Sequence, residues 1–189
     1  MNLKFLPLGL TLLSISGCAM WSADRYPDGV VADAQFVSEP MCMPTNISPD
    51  ISGEPSPEWK QRVIHSSSVA TRILASQEFA QACQSLRMTR TNGKSVQEVC
   101  REMVCSGTVK PSVNFYNKPS TRAIAYEKNG ALYINTAKES AGAGGPGNMA
   151  HEFTHTLGYT HFSNWSFLGK SSVPYRVGNL VERLAKDAE

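Results

Sequence analysis

Three of the four histidines of this chain lie between residues 151 and 161, in the pattern His-Glu-x-x-His-x-x-Gly-x-x-His. In an α-helix, positions i and i+4 lie on one face, so His151 and His155 can direct two imidazoles at one metal ion. Glu152 lies beside them and can reach a water molecule on that ion, which suits a general base. Gly158 permits the left-handed conformation that ends many helices, so the chain can turn and bring back His161 as a third ligand.

The predicted donor set indicates a particular kind of metal centre. Three neutral imidazoles with an open fourth position form the ligand set of a catalytic zinc site, whereas structural zinc sites usually complete the tetrahedron with cysteines. We therefore expect one zinc ion per chain, bound by His151, His155 and His161. The alternative is a polar helix whose histidines lie on the surface. Metal binding is the primary inference, and catalysis depends in addition on Glu152.

The signature from His151 to His161 resembles that of the metzincin clan of zinc metalloendopeptidases. The glycine and the third histidine make it more specific than the short His-Glu-x-x-His motif. The resemblance implies an α+β domain of the small zincin type, with a mixed, mainly antiparallel sheet, an active-site helix and a C-terminal helix. It also implies that Glu152 activates a zinc-bound water to hydrolyse a peptide or protein substrate.

A second, weaker part of the resemblance follows the third histidine. Metzincins place a methionine in a tight turn beneath the metal, but no methionine follows Met149 in this chain. Residues 171–175 resemble the Ser-x-Met-x-Tyr turn of astacin-like and serralysin-like members, with Val173 in the methionine position. By this resemblance, Tyr175 would contact the zinc or the oxyanion of the tetrahedral intermediate. The alternative is a tyrosine packed at the start of a terminal helix.

The function that this pattern favours is zinc-dependent endopeptidase activity, and the N-terminal sequence described next favours a location in a bacterial envelope. One alternative is a non-catalytic zinc-binding envelope lipoprotein, and another is a zinc amidase that acts on cell-wall peptides. The presence of Glu152 disfavours the non-catalytic alternative, because metal binding alone does not require that residue. The formal net charge of +2 and the absence of a long basic run argue against a nucleic-acid partner. We expect a monomer.

The N-terminus predicts export and anchoring. Residues 1–17 contain Lys4 and then a short apolar run, which is typical of a secretory signal peptide and too short to span a bilayer. Residues 15–18 resemble a bacterial lipobox, in which Cys18 becomes the acylated first residue and anchors the protein to the lipid bilayer. Ala19 replaces the aspartate of an inner-membrane retention signal, which favours the outer membrane, on its periplasmic or surface face. The alternative is an ordinary signal peptide with a chance cysteine.

The remaining roughly 170 residues suit one domain. Proline-rich residues 18–57 predict a lipidated tether and an irregular wrap, and residues 58–189 are expected to form the metallopeptidase domain. Four cysteines remain besides Cys18, and an even number in an exported chain predicts two disulfides with three possible connectivities. They are Cys42, Cys83, Cys100 and Cys105. A second metal site on these thiols is disfavoured, because no Cys-x-x-Cys occurs. We expect Cys42 to attach the wrap to the domain.

Helical patterns precede the signature. Residues 58–86 carry an interrupted apolar face, which predicts one helix or two helices broken near residues 66–68. His65 lies in this stretch and is expected to be a surface or core histidine rather than a fourth ligand. Ser95 and Glu98 fit a capping box, which predicts a short helix with Cys100 facing inward.

Strand patterns follow at residues 112–116, 123–126 and 131–135, and the Asn129-Gly130 dipeptide predicts a hairpin between the last two. By the resemblance, residues 131–135 are a candidate for the strand that pairs with an extended substrate, the alternative being an ordinary core or edge strand. The glycine-rich run at residues 141–147 lacks the Gly-Lys-Ser/Thr ending of a phosphate-binding loop, so we interpret it as a loop. Asn148 is expected to cap the metal helix.

The C-terminal part closes the predicted fold. Trp165 and Phe167 follow the third histidine and are expected to pack in the core or to form a pocket wall. Residues 175–188 have helical apolar spacing, which predicts a terminal helix.

Overall fold

A computed structural model describes residues 42–161 and 169–188, which form helices packed against a small mixed sheet. The predicted α+β class is confirmed. The elements in chain order are β1 (Asn46–Ile47), β2 (Asp50–Ile51), α1 (Pro57–Leu74), α2 (Gln77–Gln84), α3 (Val96–Val104), β3 (Thr108–Val109), β4 (Ser112–Tyr116), β5 (Ala125–Lys128), β6 (Ala131–Asn135), α4 (Pro146–Thr156) and α5 (Val173–Asp187). The predicted signal peptide at residues 1–17, the Cys18 anchor, Trp165 and Phe167 lie outside the described residues.

The main sheet has the strand order β2-β4-β6-β5, and β1 pairs with β3 in a separate parallel pair. The pairs β2–β4 and β4–β6 are parallel, and only β5–β6 is antiparallel. The sheet is therefore mixed, and the predicted emphasis on antiparallel pairing is wrong. Helices α1 to α3 lie between β2 and β4 in the chain, and such a crossover returns the second strand in the same direction as the first.

The position of β6 corrects a second prediction. Residues 131–135 do form a strand, but it lies between β4 and β5 and has no free edge for a substrate. The edges of this sheet are β2 and β5. The reason is the hairpin turn, in which Asn129 and Gly130 both have positive φ, of 55° and 77°. This geometry is that of a type I′ turn, which makes β5 the antiparallel neighbour of β6. Because β4 pairs with the other side of β6, β5 is left as the outer strand. Strand β5 begins two residues later than predicted and continues directly into the turn.

The helical stretch before the sheet is broken at a different place from the one predicted. Helix α1 continues through Ser66 and Ser67, which are buried, and ends at Leu74. Their small side chains fit where the helix packs against the core. The break occurs at Ser76 instead, because its side chain accepts a hydrogen bond from the Phe79 amide at 3.1 Å and so caps α2. His65 is exposed on α1, as expected for a surface histidine.

Helix α3 is fixed at both ends. The predicted capping box is confirmed, since the Glu98 amide donates to Ser95 Oγ at 3.2 Å and the Ser95 amide donates to Glu98 Oε2 at 2.7 Å. Two disulfides are present among the described residues, Cys83–Cys100 and Cys42–Cys105. The first joins α2 to α3 through an inward-facing Cys100, as predicted. The second attaches the start of the described chain to the end of α3.

Helices α4 and α5 pack against each other and against α1, and α4 also contacts β5 of the sheet. Helix α5 begins two residues before the predicted start and buries its apolar face in the core. The buried residues of that face are Val173, Pro174, Val177, Gly178, Leu180, Val181 and Ala185. Among the described residues, no helix combines the length and the apolar character that are needed to cross a bilayer.

Candidate metal centre

The first two histidines are carried by α4, which begins with Pro146 directly after the N-cap residue Gly145. Proline is favoured at this position because its missing amide hydrogen would have no helical partner there. The prediction that Asn148 caps the helix is therefore wrong, because Asn148 lies within the first turn. Its side-chain oxygen instead accepts a hydrogen bond from the Gly144 amide at 3.0 Å, in the loop that enters the helix.

Gly158 ends α4 as predicted, with a φ of +84°. The Gly158 amide donates to the His155 carbonyl at 2.9 Å, and the Tyr159 amide donates to the Thr154 carbonyl at 3.1 Å. These two bonds form a Schellman motif, which satisfies carbonyls that the helix end would otherwise leave unpaired. The motif reverses the chain within a few residues and brings His161 back to the helix.

The three histidines of the signature form one cluster. One ring nitrogen from each lies within 4.8 Å of those of the other two. The ring centroids are 5.1 Å apart for His151 and His155, 5.2 Å for His151 and His161, and 5.0 Å for His155 and His161. This group can hold a metal ion, and no other cluster of that kind occurs within residues 42–161 and 169–188.

Backbone carbonyls orient two of the rings. His155 Nδ1 lies 2.7 Å from the Tyr159 carbonyl oxygen, so it must carry the proton, and Nε2 retains the lone pair that a metal requires. His151 forms a hydrogen bond with the Pro174 carbonyl. Burial, and secondarily the neighbouring His155 and His161, lower the pKa of His151 well below its usual value. Burial likewise lowers the pKa of His155. Neutral imidazoles of this kind are the protonation state that binds metal.

Glu152 is buried beside the cluster, with 3% of its surface exposed. Its Oε1 receives a long hydrogen bond from Asn148 Nδ2 at 3.5 Å, and its Oε2 has no hydrogen-bond partner within the described residues. Burial raises the pKa of the Glu152 carboxyl to about 8, and the negative charge of Glu127 on β5 adds to this effect. A buried carboxyl with one unpaired oxygen and a raised pKa has the properties of a general base or acid.

Tyr175 lies against the same cluster. Its ring centroid is 4.7 Å from that of His151 and 5.0 Å from that of His161. It occupies the first turn of α5. Tyr175 therefore lies both beside the histidine cluster and at the start of the terminal helix, the two positions that the sequence left as alternatives. Val173, in the place of the methionine, is fully buried. Burial raises the pKa of the Tyr175 phenol, and Glu152 contributes further.

The helices that carry His151 and Tyr175 cross at two glycines. A β-carbon added to Gly178 would lie 2.8 Å from the Gly147 carbonyl oxygen and 3.0 Å from the His151 β-carbon. The Gly147 amide also donates to Glu182 Oε2 at 3.1 Å, which places a carboxylate from α5 at the N-terminus of α4. A negative charge is favourable there because of the helix dipole.

Several contributors to this site were not identified from the sequence. A glycine in the middle of a helix is unfavourable, so Gly178 was a signal of a close helix crossing. Glu127, Glu182 and the Pro174 carbonyl gave no local signal, because only the tertiary fold brings them to α4.

Comparison of the chain with models of known protein families, with curated proteins and with solved structures finds no match. The function proposed below therefore rests on the geometry of this centre.

Proposed function

We propose that this chain is a zinc-dependent endopeptidase of the metzincin type. The observation that carries the proposal is the three-histidine cluster with the buried, partly unpaired Glu152 carboxyl next to it on the helix. Imidazole nitrogen suits zinc, and a three-histidine set leaves a coordination position for water or substrate. A metal-binding role alone gives no reason to bury a carboxyl that lacks a partner for one oxygen.

Each residue would have a defined part in peptide hydrolysis. Zinc bound at this cluster would activate water at neutral pH and polarise the scissile carbonyl. Glu152 would accept the proton of the attacking water and deliver it to the leaving amine. The Tyr175 phenol, which remains protonated because burial raises its pKa, would donate a hydrogen bond to the developing oxyanion.

Strand β5 is the better candidate for substrate pairing. It is an edge of the sheet, and it contacts α4 on the side where Glu127 influences Glu152 and His155. An extended peptide can add to such an edge through main-chain hydrogen bonds. The resemblance implied that residues 131–135 pair with an extended substrate. We assign this pairing to Ala125–Lys128 instead.

We also propose that the protein acts in a bacterial envelope, attached through an acylated Cys18. The two disulfides support export to an oxidising compartment.

The test combines metal analysis with a peptide-library digest. The purified protein should contain one zinc per chain and cleave peptides in a chelator-sensitive manner, and His155→Ala should lose the metal. Glu152→Gln should retain zinc but lose roughly 100-fold or more in rate, in line with general-base contributions. Zinc retained in full by the His155 variant would refute the ligand assignment, and undiminished cleavage by the Glu152 variant would remove that residue from the mechanism. A parallel digest of cell-wall peptides separates an endopeptidase from an amidase.

A further inference from the structure

The turn that connects the last two histidines is held by side chains from one neighbouring stretch, residues 90–102. Three consecutive residues of the turn each form a hydrogen bond with that stretch: Gly158 and Thr160 accept, and Tyr159 donates. The bonds join Asn92 Nδ2 to the Gly158 carbonyl at 3.2 Å, the Tyr159 hydroxyl to Glu102 Oε2 at 2.5 Å, and Arg90 Nη1 to Thr160 Oγ1 at 3.1 Å. The path of the chain between the second and third histidines is therefore fixed from outside α4.

Tyr159 is the central residue of this arrangement. Its side chain is fully buried, and its hydroxyl donates to Glu102. Its carbonyl oxygen, at the other end of the same residue, is 2.7 Å from His155 Nδ1. One residue thus connects helix α3 directly to a member of the histidine cluster.

We propose that Tyr159 and Glu102 are positioning residues of the metal centre. Glu102 accepts a hydrogen bond from the Tyr159 hydroxyl and so fixes the position of Tyr159. The Tyr159 carbonyl then accepts a hydrogen bond from His155 Nδ1, which leaves the Nε2 lone pair available to the metal. A hydrogen bond to the second ring nitrogen fixes both the tautomer and the orientation of a ligand histidine. This inference rests on the metal binding that we propose for the cluster.

An ion pair and two disulfides support the position of Glu102. Lys94 Nζ pairs with Glu102 Oε2 at 2.5 Å and also lies 5.4 Å from the centre of the Tyr159 ring. Helix α3, which carries Glu102, is covalently attached to α2 through Cys100, and the adjacent Cys105 provides a second disulfide. These two disulfides restrict the movement of α3 and therefore of the Glu102 carboxylate that it carries.

The backbone of the same stretch also indicates a constrained role. Arg90 and Asn92 both adopt positive φ, of 57° and 56°. This region is uncommon for residues other than glycine, and an arginine there is held by its surroundings. The stretch begins next to Thr89, whose amide donates to the Ser171 carbonyl at 2.8 Å and whose carbonyl accepts from the Val173 amide at 3.2 Å. The residue that immediately precedes the stretch therefore contacts the turn that leads to Tyr175.

The principal test is Tyr159→Phe, which keeps the buried ring and removes only the hydroxyl. The variant keeps the residue-159 carbonyl but no longer anchors it through Glu102, so we expect zinc binding up to about 10-fold weaker than in the wild type, the lower end of the range for loss of a ligand histidine's direct partner. Ser95→Ala is the matched control, because it removes the capping box of the same helix without touching Tyr159. The control should have a lower melting temperature and wild-type zinc affinity. Equal zinc affinity in Tyr159→Phe and the wild type would overturn the proposal.

Variants of Glu102 test whether the two residues act through one bond. Glu102→Gln keeps an acceptor oxygen and should retain most of the zinc affinity, whereas Glu102→Ala should lose about as much as Tyr159→Phe. The double variant with Tyr159→Phe should then lose no more than either single variant, because both changes remove the same interaction. Losses that multiply in the double variant would show that the two residues act independently and would contradict the proposal.

A metal-free measurement separates this inference from the proposed function. Nitrogen-15 NMR of the metal-free wild type should show His155 in the Nδ1-protonated tautomer, and Tyr159→Phe should populate both tautomers. An unchanged tautomer in the variant would overturn the positioning role. Wild-type protein that fails to bind zinc, with its His155 tautomer as expected, would instead overturn the metal assignment.

Discussion

A substitution of Glu152 should change how the stability of the metal-free protein depends on pH. The folded-state pKa of about 8 lies above the ordinary value of 4.5, so the folded protein holds the proton more tightly than the unfolded chain does. The contribution of this group to stability is therefore fully present below pH 4.5 and is lost as the pH rises towards 8. A glutamine has nearly the same shape as glutamate and cannot ionise. The Glu152→Gln variant should therefore not lose stability through this group as the pH rises from 4.5 to 8.

The size of the effect follows from the two pKa values. Because one pKa unit corresponds to about 1.36 kcal/mol, ionisation of Glu152 lowers the free energy of unfolding by about 1 kcal/mol at pH 5.5 and about 4 kcal/mol at pH 7.5. The stability difference between Glu152→Gln and the wild type should therefore increase by about 2 to 3 kcal/mol between these two pH values. The lowered pKa values of His151 and His155 act in the opposite direction, since their contribution to stability is lost as the pH falls below the ordinary histidine pKa of 6.5. Both proteins keep these histidines, so their contribution cancels in the difference.

The assay is urea unfolding of chelator-treated protein at pH 5.5, 6.5 and 7.5. Glu54→Gln serves as the control, because it makes the same carboxyl-to-amide change at an exposed position. A constant difference between Glu152→Gln and the wild type across the three pH values would refute the reasoning, since it would mean that the carboxyl is hydrated in the folded protein. Saturating zinc should reduce the pH dependence, because a nearby divalent cation favours the ionised carboxylate.

Three further outcomes are expected. Gly178→Ala should lower the free energy of unfolding by about 1 to 3 kcal/mol, because the added methyl group would lie 2.8 Å from the Gly147 carbonyl oxygen; urea unfolding measures this, and an unchanged midpoint would contradict the close crossing. Tyr175→Phe should lower kcat by about 100-fold or more with zinc content and melting temperature nearly unchanged; a near-normal kcat would show that the tyrosine only packs. The mature protein should begin at an acylated Cys18 and contain no free thiol, which intact-mass analysis with thiol alkylation checks; four alkylated cysteines in native protein would refute the disulfides.

The elements that the sequence predicted well follow local rules. The capping box of Ser95 and Glu98, the hairpin at Asn129-Gly130 and the end of α4 at Gly158 each depend on residues a few positions apart. The clustering of the three histidines follows from one helix and one turn, so their spacing alone was sufficient. The position of Tyr175 was reached through its register relative to a known turn.

The features that were missed depend on contacts between distant parts of the chain. Parallel pairing of β4 with β6 joins strands that are separated by β5 in sequence, and periodicity contains no information on strand order. Helix α1 continues through Ser66 and Ser67 because the core accommodates small side chains there, which local propensity does not report. The Pro174 carbonyl and Glu182 reach α4 only because α5 packs beside it.

The crossing of α4 and α5 at Gly147 and Gly178 also bears on how the centre responds to a ligand. Since the two backbones are in contact there, main-chain atoms set the spacing of the two helices from which the His151 and Tyr175 rings extend. The conformational entropy lost in bringing the phenol to the imidazoles is therefore lost during folding, before any ligand arrives. Preorganisation of this kind leaves little reorganisation at binding, so this side of the centre should have the same geometry with and without its ligand.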